Sequence, residues 1–225
     1  MENSRAAAHA AIARGFAIEC DVQLSADGEA FVFHDSTLDR LTHSTGSFAA
    51  LRAEQIAATR ISGADETIPS FAELLSVIGG AVPLVCEIKS HFTADFRLAE
   101  RVVALSANYE GALAFKSFDP EIIAHLRTMA VERPLGMVAQ ARYEDPYVAE
   151  MSPEQKRGAA AWLHFDRTRP DFLSWWIEDL PHAIPTLFRG LGRLPVMTWT
   201  VRTAEQRARA REFADQIVFE GEALL

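Results

Sequence analysis

The sequence predicts an α/β fold on a parallel sheet, an eight-stranded α/β barrel whose first strand is missing from this chain. Three observations carry this expectation. Short apolar runs alternate with amphipathic stretches from end to end, the βαβα order of parallel strands joined by crossover helices. Most of those runs are flanked by Pro, Gly or charge, as strands buried on both faces should be. No low-complexity segment, charge block or Pro/Gly/Ser linker divides the 225 residues, a length that suits one such barrel, so 1–225 reads as a single domain.

The elements follow in order. Asn3–Arg14 is an Ala-rich helix capped by Asn3 or Ser4. The strand Ala17–Leu24 comes next, then Ala30–His34. Only S-A-D-G-E joins them, whereas parallel neighbours need a dozen or more residues, so the two form a hairpin. A turn near Ala26–Gly28 pairs Leu24 with Glu29, Asp21 with Val32 and Glu19 with His34. Ser70–Ile78 is a helix opening on S-F-A-E, with Glu73 three residues after Ser70 as a capping box. The strands Leu84–Lys89, Ala112–Lys116 and Leu135–Ala139 alternate with helices at Ala94–Ser106 and Pro120–Met129. A helix at Pro153–Ala159 leads to a strand at Ala161–Phe165, ending W-L-H-F-D. Asp171–Asp179, carrying Trp175 and Trp176, reads as a helix with a second turn near Pro185–Arg189. The strand Pro195–Val201, the helix Ala204–Ala214 and the strand Gln216–Glu220 close the chain. An eight-stranded barrel needs one more strand than these, and since the chain opens with a helix, that strand is expected before Met1.

Composition narrows the function. The chain is 49% hydrophobic and 24% charged, an ordinary globular balance. Its formal charge of -9, from 31 acidic and 22 basic residues, repels phosphate backbones and argues against nucleic acid as a partner. A small phosphorylated substrate stays compatible if a metal or a local Lys cluster inverts the field. Cys20 and Cys86 give no disulfide framework and no zinc spacing, and each reads as a small buried strand residue. No stretch approaches ~18 apolar residues and no signal peptide is visible, so no membrane span and a cytoplasmic setting are expected. The unpaired edges of a barrel short of one strand leave a homo-oligomer open.

Ionisable residues gather at predicted strand ends. Glu19 and Asp21 sit at i, i+2 within an apolar strand, where two like charges repel and are costly to desolvate. The hairpin pairing puts them on one face with His34, opposed positions having Cβ atoms about 5 Å apart. A divalent cation relieves the repulsion, and Mg²⁺ or Ca²⁺ prefers the oxygen ligands offered here. In L-V-C-E-I-K, Glu87 and Lys89 again share one face late in a strand. Lys116 ends the next strand, and both lysines can serve an anionic substrate as point charges. Trp199, late in M-T-W-T-V, suits a pocket wall, and His164 suits the pocket lining. Plainer readings stand beside these. Glu19 and Asp21 also suit a structural salt-bridged pair, His34 a satisfied strand-end histidine, and the two lysines partners of Glu87 and Asp119.

The stretch E-C-D-V-Q-L-S-A-D-G-E-A-F-V-F-H-D-S-T-L-D-R-L-T resembles the signature of the glycerophosphodiester phosphodiesterases, E-x-D-V-x-x-T-x-D-G followed by an apolar run and H-D-x-x-L-D-R-T-T. E-I-K at Glu87–Lys89, K-S-F-D-P at Lys116–Pro120 and W-T-V-R at Trp199–Arg202 follow in the family's order, so the resemblance covers the whole chain. It implies a TIM-type (β/α)8 barrel that hydrolyses small-molecule glycerophosphodiesters to sn-glycerol 3-phosphate and an alcohol. By matching position, it implies that Glu19, Asp21 and Glu87 bind Mg²⁺ or Ca²⁺. His34 would be one of two acid/base histidines, and Lys89 would contact the phosphate. M-E-N-S stands where the family has P-E-N-[ST], which places Glu2 among the substrate-binding residues.

Two departures bear on activity. The family's opening strand, ending H-R-G and carrying the other histidine, is not in this chain; of a start codon placed too late, a deliberately trimmed chain and a real truncation, the first is favoured. Q-I-V-F-E-G at Gln216–Gly221 stands where many members have I-T-D-x-P. A catalytically impaired barrel that binds a ligand or partner is therefore a rival expectation. A phospholipase-D-like lyase is another, although the long hydrophobic loops it favours are not seen.

Overall fold

The computed structural model of the chain describes residues 1–145 and 148–221. The chain forms two compact units, Met1–Ser90 with Asp95–Phe115, and His91–Ala94 with Lys116–Leu225.

The first unit opens with α1 (Arg5–Ala13), whose N-cap Ser4 accepts a hydrogen bond from the Ala7 N–H. β1 (Ile18–Leu24) pairs antiparallel with β2 (Ala30–Val32) and parallel with β3 (Leu84–Ile88). After the short α2 (Ala53–Ala58), α3 (Phe71–Ile78) starts on the predicted capping box and ends on Gly79, which takes φ +53 to close the helix. α3 packs on α1, and its Phe71, Leu74, Leu75 and Ile78 are buried. α4 (Arg97–Ser106) precedes β4 (Leu113–Ser117), which begins in this unit beside β3, and the strand order here is β2-β1-β3-β4. Between β2 and α3 the chain builds its own apolar cluster from Phe31, Phe33, Leu38, Leu41, Phe48, Ile56, Ile61 and Ile68, with Phe33 stacked on Phe48 at 5.2 Å. That cluster holds a long, mostly irregular segment in one conformation.

The register of β1 with β2 corrects the sequence expectation. The observed partners are Leu24 with Ala30, Gln23 with Phe31 and Val22 with Val32, one residue away from the expected pairs. The turn takes in all of Ser25–Glu29. Ser25 N–H donates to the Glu29 carbonyl at 2.8 Å, the Ser25 hydroxyl accepts from Glu29 N–H at 2.9 Å, and Gly28 supplies φ +89. A one-residue slip exchanges the two faces of a strand, so Val32 does not lie opposite Asp21. β2 stops at Val32, and His34 stands beyond it rather than in a pair with Glu19.

The second unit carries the end of β4, then α5 (Pro120–Thr128), β5 (Leu135–Ala139), α6 (Pro153–Ala160), α7 (Phe165–Thr168), β6 (Phe172–Trp176), α8 (Ala183–Leu187), β7 (Val196–Val201), α9 (Ala204–Phe213) and β8 (Gln216–Phe219). Strands β5 to β8 pair in sequence order, all parallel. Two expected elements change places here. Ala161–Phe165 is not a strand, since Trp162 takes φ +57 as α6 ends and His164 is the N-cap of α7. The run expected as a helix from Asp171 is β6, with Leu173, Ser174 and Trp175 all buried. Its aromatic residues favour a pleated strand over a helix, and Asp171 pins its start by donating N–H to the Leu135 carbonyl at 2.7 Å.

Candidate active site

The β1–β3 register decides the geometry of the acidic cluster. Asp21 lies directly opposite Glu87, and Glu19, two residues before Asp21, shares that face. The alternate positions, Cys20 and Cys86, are also direct partners and are fully buried on the other face. Carboxylate oxygens of Glu19, Asp21 and Glu87 all lie within 4.8 Å of one another. Asp21 and Glu87 are buried, so their mutual repulsion is poorly screened.

Lys89 relieves it. Its Nζ is 2.8 Å from Asp21 Oδ1 and 2.7 Å from Glu87 Oε1. Burial pulls the Lys89 ammonium downward in pKa, but the facing Asp21 and Glu87 carboxylates outweigh it and hold the group firmly charged. Burial likewise pushes Asp21 upward, yet Lys89, His34 and the Asn3 amide together hold it well below the usual carboxylate range. With Glu19 close to the bridged pair of Asp21 and Glu87, the three carboxylates offer an oxygen-only donor set that fits a hard divalent ion.

Two residues next to the N-terminus brace this face. Asn3, at φ +53, donates its amide to Asp21 Oδ2 at 3.0 Å and accepts from the Asp21 N–H at 3.1 Å. Glu2 accepts from Arg40 at 2.8 and 3.0 Å. Arg40 in turn donates twice to the Asp35 carboxylate, both at 2.7 Å, and Asp35 Oδ1 is 2.7 Å from His34 Nδ1. Burial raises Asp35, but the hydrogen bonds from Arg40 and His34 dominate and keep it ionised. Gln23 holds the same segment by donating to the carbonyls of Phe33 and Asp35 at 2.9 and 2.7 Å. Asn3, Asp35 and Arg40 were not expected as site residues, although Asn3 lies in M-E-N-S and Asp35 and Arg40 lie inside H-D-S-T-L-D-R.

The other expected site residues belong to the second unit. Lys116 is buried at the end of β4. Trp199 is partly buried on β7, donates its indole N–H to the Ser174 carbonyl at 3.1 Å, and stacks on Trp176 with centroids 6.4 Å apart. Phe118 meets Trp199 edge-on at 5.5 Å. His164 does not end a strand. It is buried at the start of α7, 5.0 Å from the Trp162 ring, and burial with the nearby Arg167 pushes its pKa down to about 4.

The model of the Glycerophosphoryl diester phosphodiesterase family matches residues 1–219 of this chain. The chain belongs to that family. Among glycerophosphodiester phosphodiesterases, that of Caldanaerobacter subterraneus subsp. tengcongensis is 31% identical over 139 residues, which cover 58% of this chain and 57% of that protein. The chain thus spans little more than half the length of this curated relative. Solved structures share the fold. An Oleispira antarctica phosphodiesterase, determined in complex with the product sn-glycerol-3-phosphate, is 20% identical with a TM-score of 0.78, over 96% of this chain and 86% of that one. The Thermotoga maritima glycerophosphodiester phosphodiesterase is also 20% identical, with a TM-score of 0.72, over 97% of this chain and 88% of that one. Among the described residues, no helix is long and apolar enough to cross a membrane.

Proposed function

We propose that the protein hydrolyses glycerophosphodiesters to sn-glycerol 3-phosphate and an alcohol, using a divalent cation and acid/base catalysis by His34. The observation that carries this reading is the convergence of carboxylate oxygens of Glu19, Asp21 and Glu87 within 4.8 Å of one another, with the Lys89 ammonium bridging Asp21 and Glu87. These three residues would hold Mg²⁺ or Ca²⁺, which when bound polarises a phosphoryl oxygen and offsets the charge that builds on it. Lys89, a compact point charge with three donors, turns from the carboxylates to a phosphate oxygen and keeps the anionic diester on this face. His34 takes a proton from the attacking nucleophile or gives one to the departing alkoxide. The relatives' names and the product bound in the Oleispira structure support this substrate class.

Incubating the protein with glycerophosphocholine and Mg²⁺ or Ca²⁺ tests the proposal. Cation-dependent release of choline and sn-glycerol 3-phosphate is expected. A protein that binds the cation yet releases neither product, also when an H-R-G segment is supplied ahead of Met1, is a binding module and not this enzyme. A cyclic phosphate as the product assigns it to the lyases instead.

A further inference from the structure

Glu2 belongs to a chain of hydrogen bonds that ends at His34. Both of its carboxylate oxygens are engaged by Arg40, whose remaining N–H groups grip Asp35, whose Oδ1 meets His34 Nδ1. We infer that Glu2 and Arg40 are positioning residues for His34, acting through Asp35 to fix the imidazole in its Nδ1–H tautomer. This rests on the proton-transfer role proposed for His34.

Hydrogen-bond capacity decides the tautomer. An ionised carboxylate only accepts, so a nitrogen 2.7 Å from Asp35 Oδ1 must carry the hydrogen. In the neutral ring this leaves Nε2 as the basic nitrogen, the one that exchanges a proton. The carboxylate has to be held still for this to work. Arg40 does so with a planar fork, Nε to Oδ2 and Nη2 to Oδ1, which a lysine cannot reproduce. Arg40 itself is half exposed, and an isolated exposed pair holds geometry poorly. Glu2 closes the other side of the guanidinium with two more hydrogen bonds and turns the pair into a network. Glu2 is in turn fixed by its neighbours: Asn3 grips Asp21 by two hydrogen bonds, and the Ser4 hydroxyl donates to the Met1 carbonyl at 2.6 Å. One short N-terminal turn therefore braces the acidic face through Asn3 and the histidine through Glu2.

The test uses the full chain with the imidazoles ¹⁵N-labelled and compares Glu2→Gln and Arg40→Lys with the parent. Both substitutions keep side-chain size at partly exposed positions, and a thermal melt checks that each variant folds. In the parent, the neutral His34 is expected to show the Nδ1–H tautomer alone. Each variant should show a mixture, with kcat for glycerophosphocholine lowered about tenfold and KM little changed, the range seen when partners behind a working residue are removed. An unchanged Nδ1–H signature in both variants overturns the inference. So does a rise in KM at constant kcat in Glu2→Gln, which makes Glu2 a substrate contact. If His34→Ala keeps full turnover, the catalytic role of His34 fails, and the tautomer signature still decides whether Glu2 and Arg40 position it.

Discussion

Lys89 Nζ stands 2.8 Å from Asp21 Oδ1, and the same nitrogen reaches Glu87 Oε1 at 2.7 Å. One ammonium thus bridges two carboxylates that face each other across β1 and β3, and leaves a net negative charge in the place where the donor set fits a divalent cation. Replacing Lys89 by Met leaves those carboxylates buried without a counter-charge. Without divalent cation, Lys89→Met should lose about 3–5 kcal/mol of stability, the range for breaking a buried ion pair on one side. Added Mg²⁺ or Ca²⁺ should then raise the melting temperature of the variant more than that of the parent. Equal melting temperatures without cation would show that Lys89 does not stabilise this face.

His34 is hydrogen-bonded to Asp35 and is not one of the three carboxylate-bearing residues that gather within 4.8 Å. His34→Ala should therefore lower turnover by about 10²–10⁴-fold, the usual contribution of a positioned acid or base. Calorimetric titration should find cation affinity unchanged. Loss of cation binding in this variant would mean that His34 belongs to the ligand set.

His164 should leave its mark on acid stability. Its folded pKa is lowered from 6.5 to about 4, first by burial and then by Arg167. Between these values the unfolded chain binds a proton that the folded chain does not, so stability falls as pH drops from about 6.5 to about 4 and loses nothing further from this group below that. The full loss is about 3 kcal/mol. Urea unfolding across this pH range should be less steeply pH-dependent in His164→Leu than in the parent. Parallel curves would contradict the assignment.

Gly136 on β5 is the direct partner of Phe172 on β6. A Cβ at position 136 would collide with the ring of Phe172, which is partly buried at the start of β6. Gly136→Ala should cost about 1–3 kcal/mol, as overpacking does. A denaturant melt with an unchanged midpoint would show that the ring moves aside freely.

Much of this was legible in the residues. β1, β3, β5, β7 and β8 stand where short apolar runs placed them, because a buried parallel strand leaves little but such a run in the sequence. The capping box at Ser70 and Glu73 is local chemistry and read directly. Trp162–Phe165 and Phe172–Trp176 were exchanged because a short apolar run does not separate strand from helix by periodicity. The β1–β2 register missed by one residue because Glu29 is spent on the turn, a choice made by the Ser25 hydroxyl rather than by the strand pattern. Glu19, Asp21 and Glu87 were legible because carboxylates inside apolar strands are conspicuous. Asn3, Asp35 and Arg40 were not, since polar residues in a polar loop gain meaning only from partners such as Glu2, 38 positions from Arg40.

Steady-state hydrolysis of glycerophosphocholine, with Mg²⁺ or Ca²⁺ present and then removed by a chelator, tests the central claim most directly. Choline and sn-glycerol 3-phosphate are expected in equal amounts, lost on chelation, restored by the cation and abolished in Glu87→Gln. Hydrolysis that persists at full rate under chelation, or in Glu87→Gln, would contradict it.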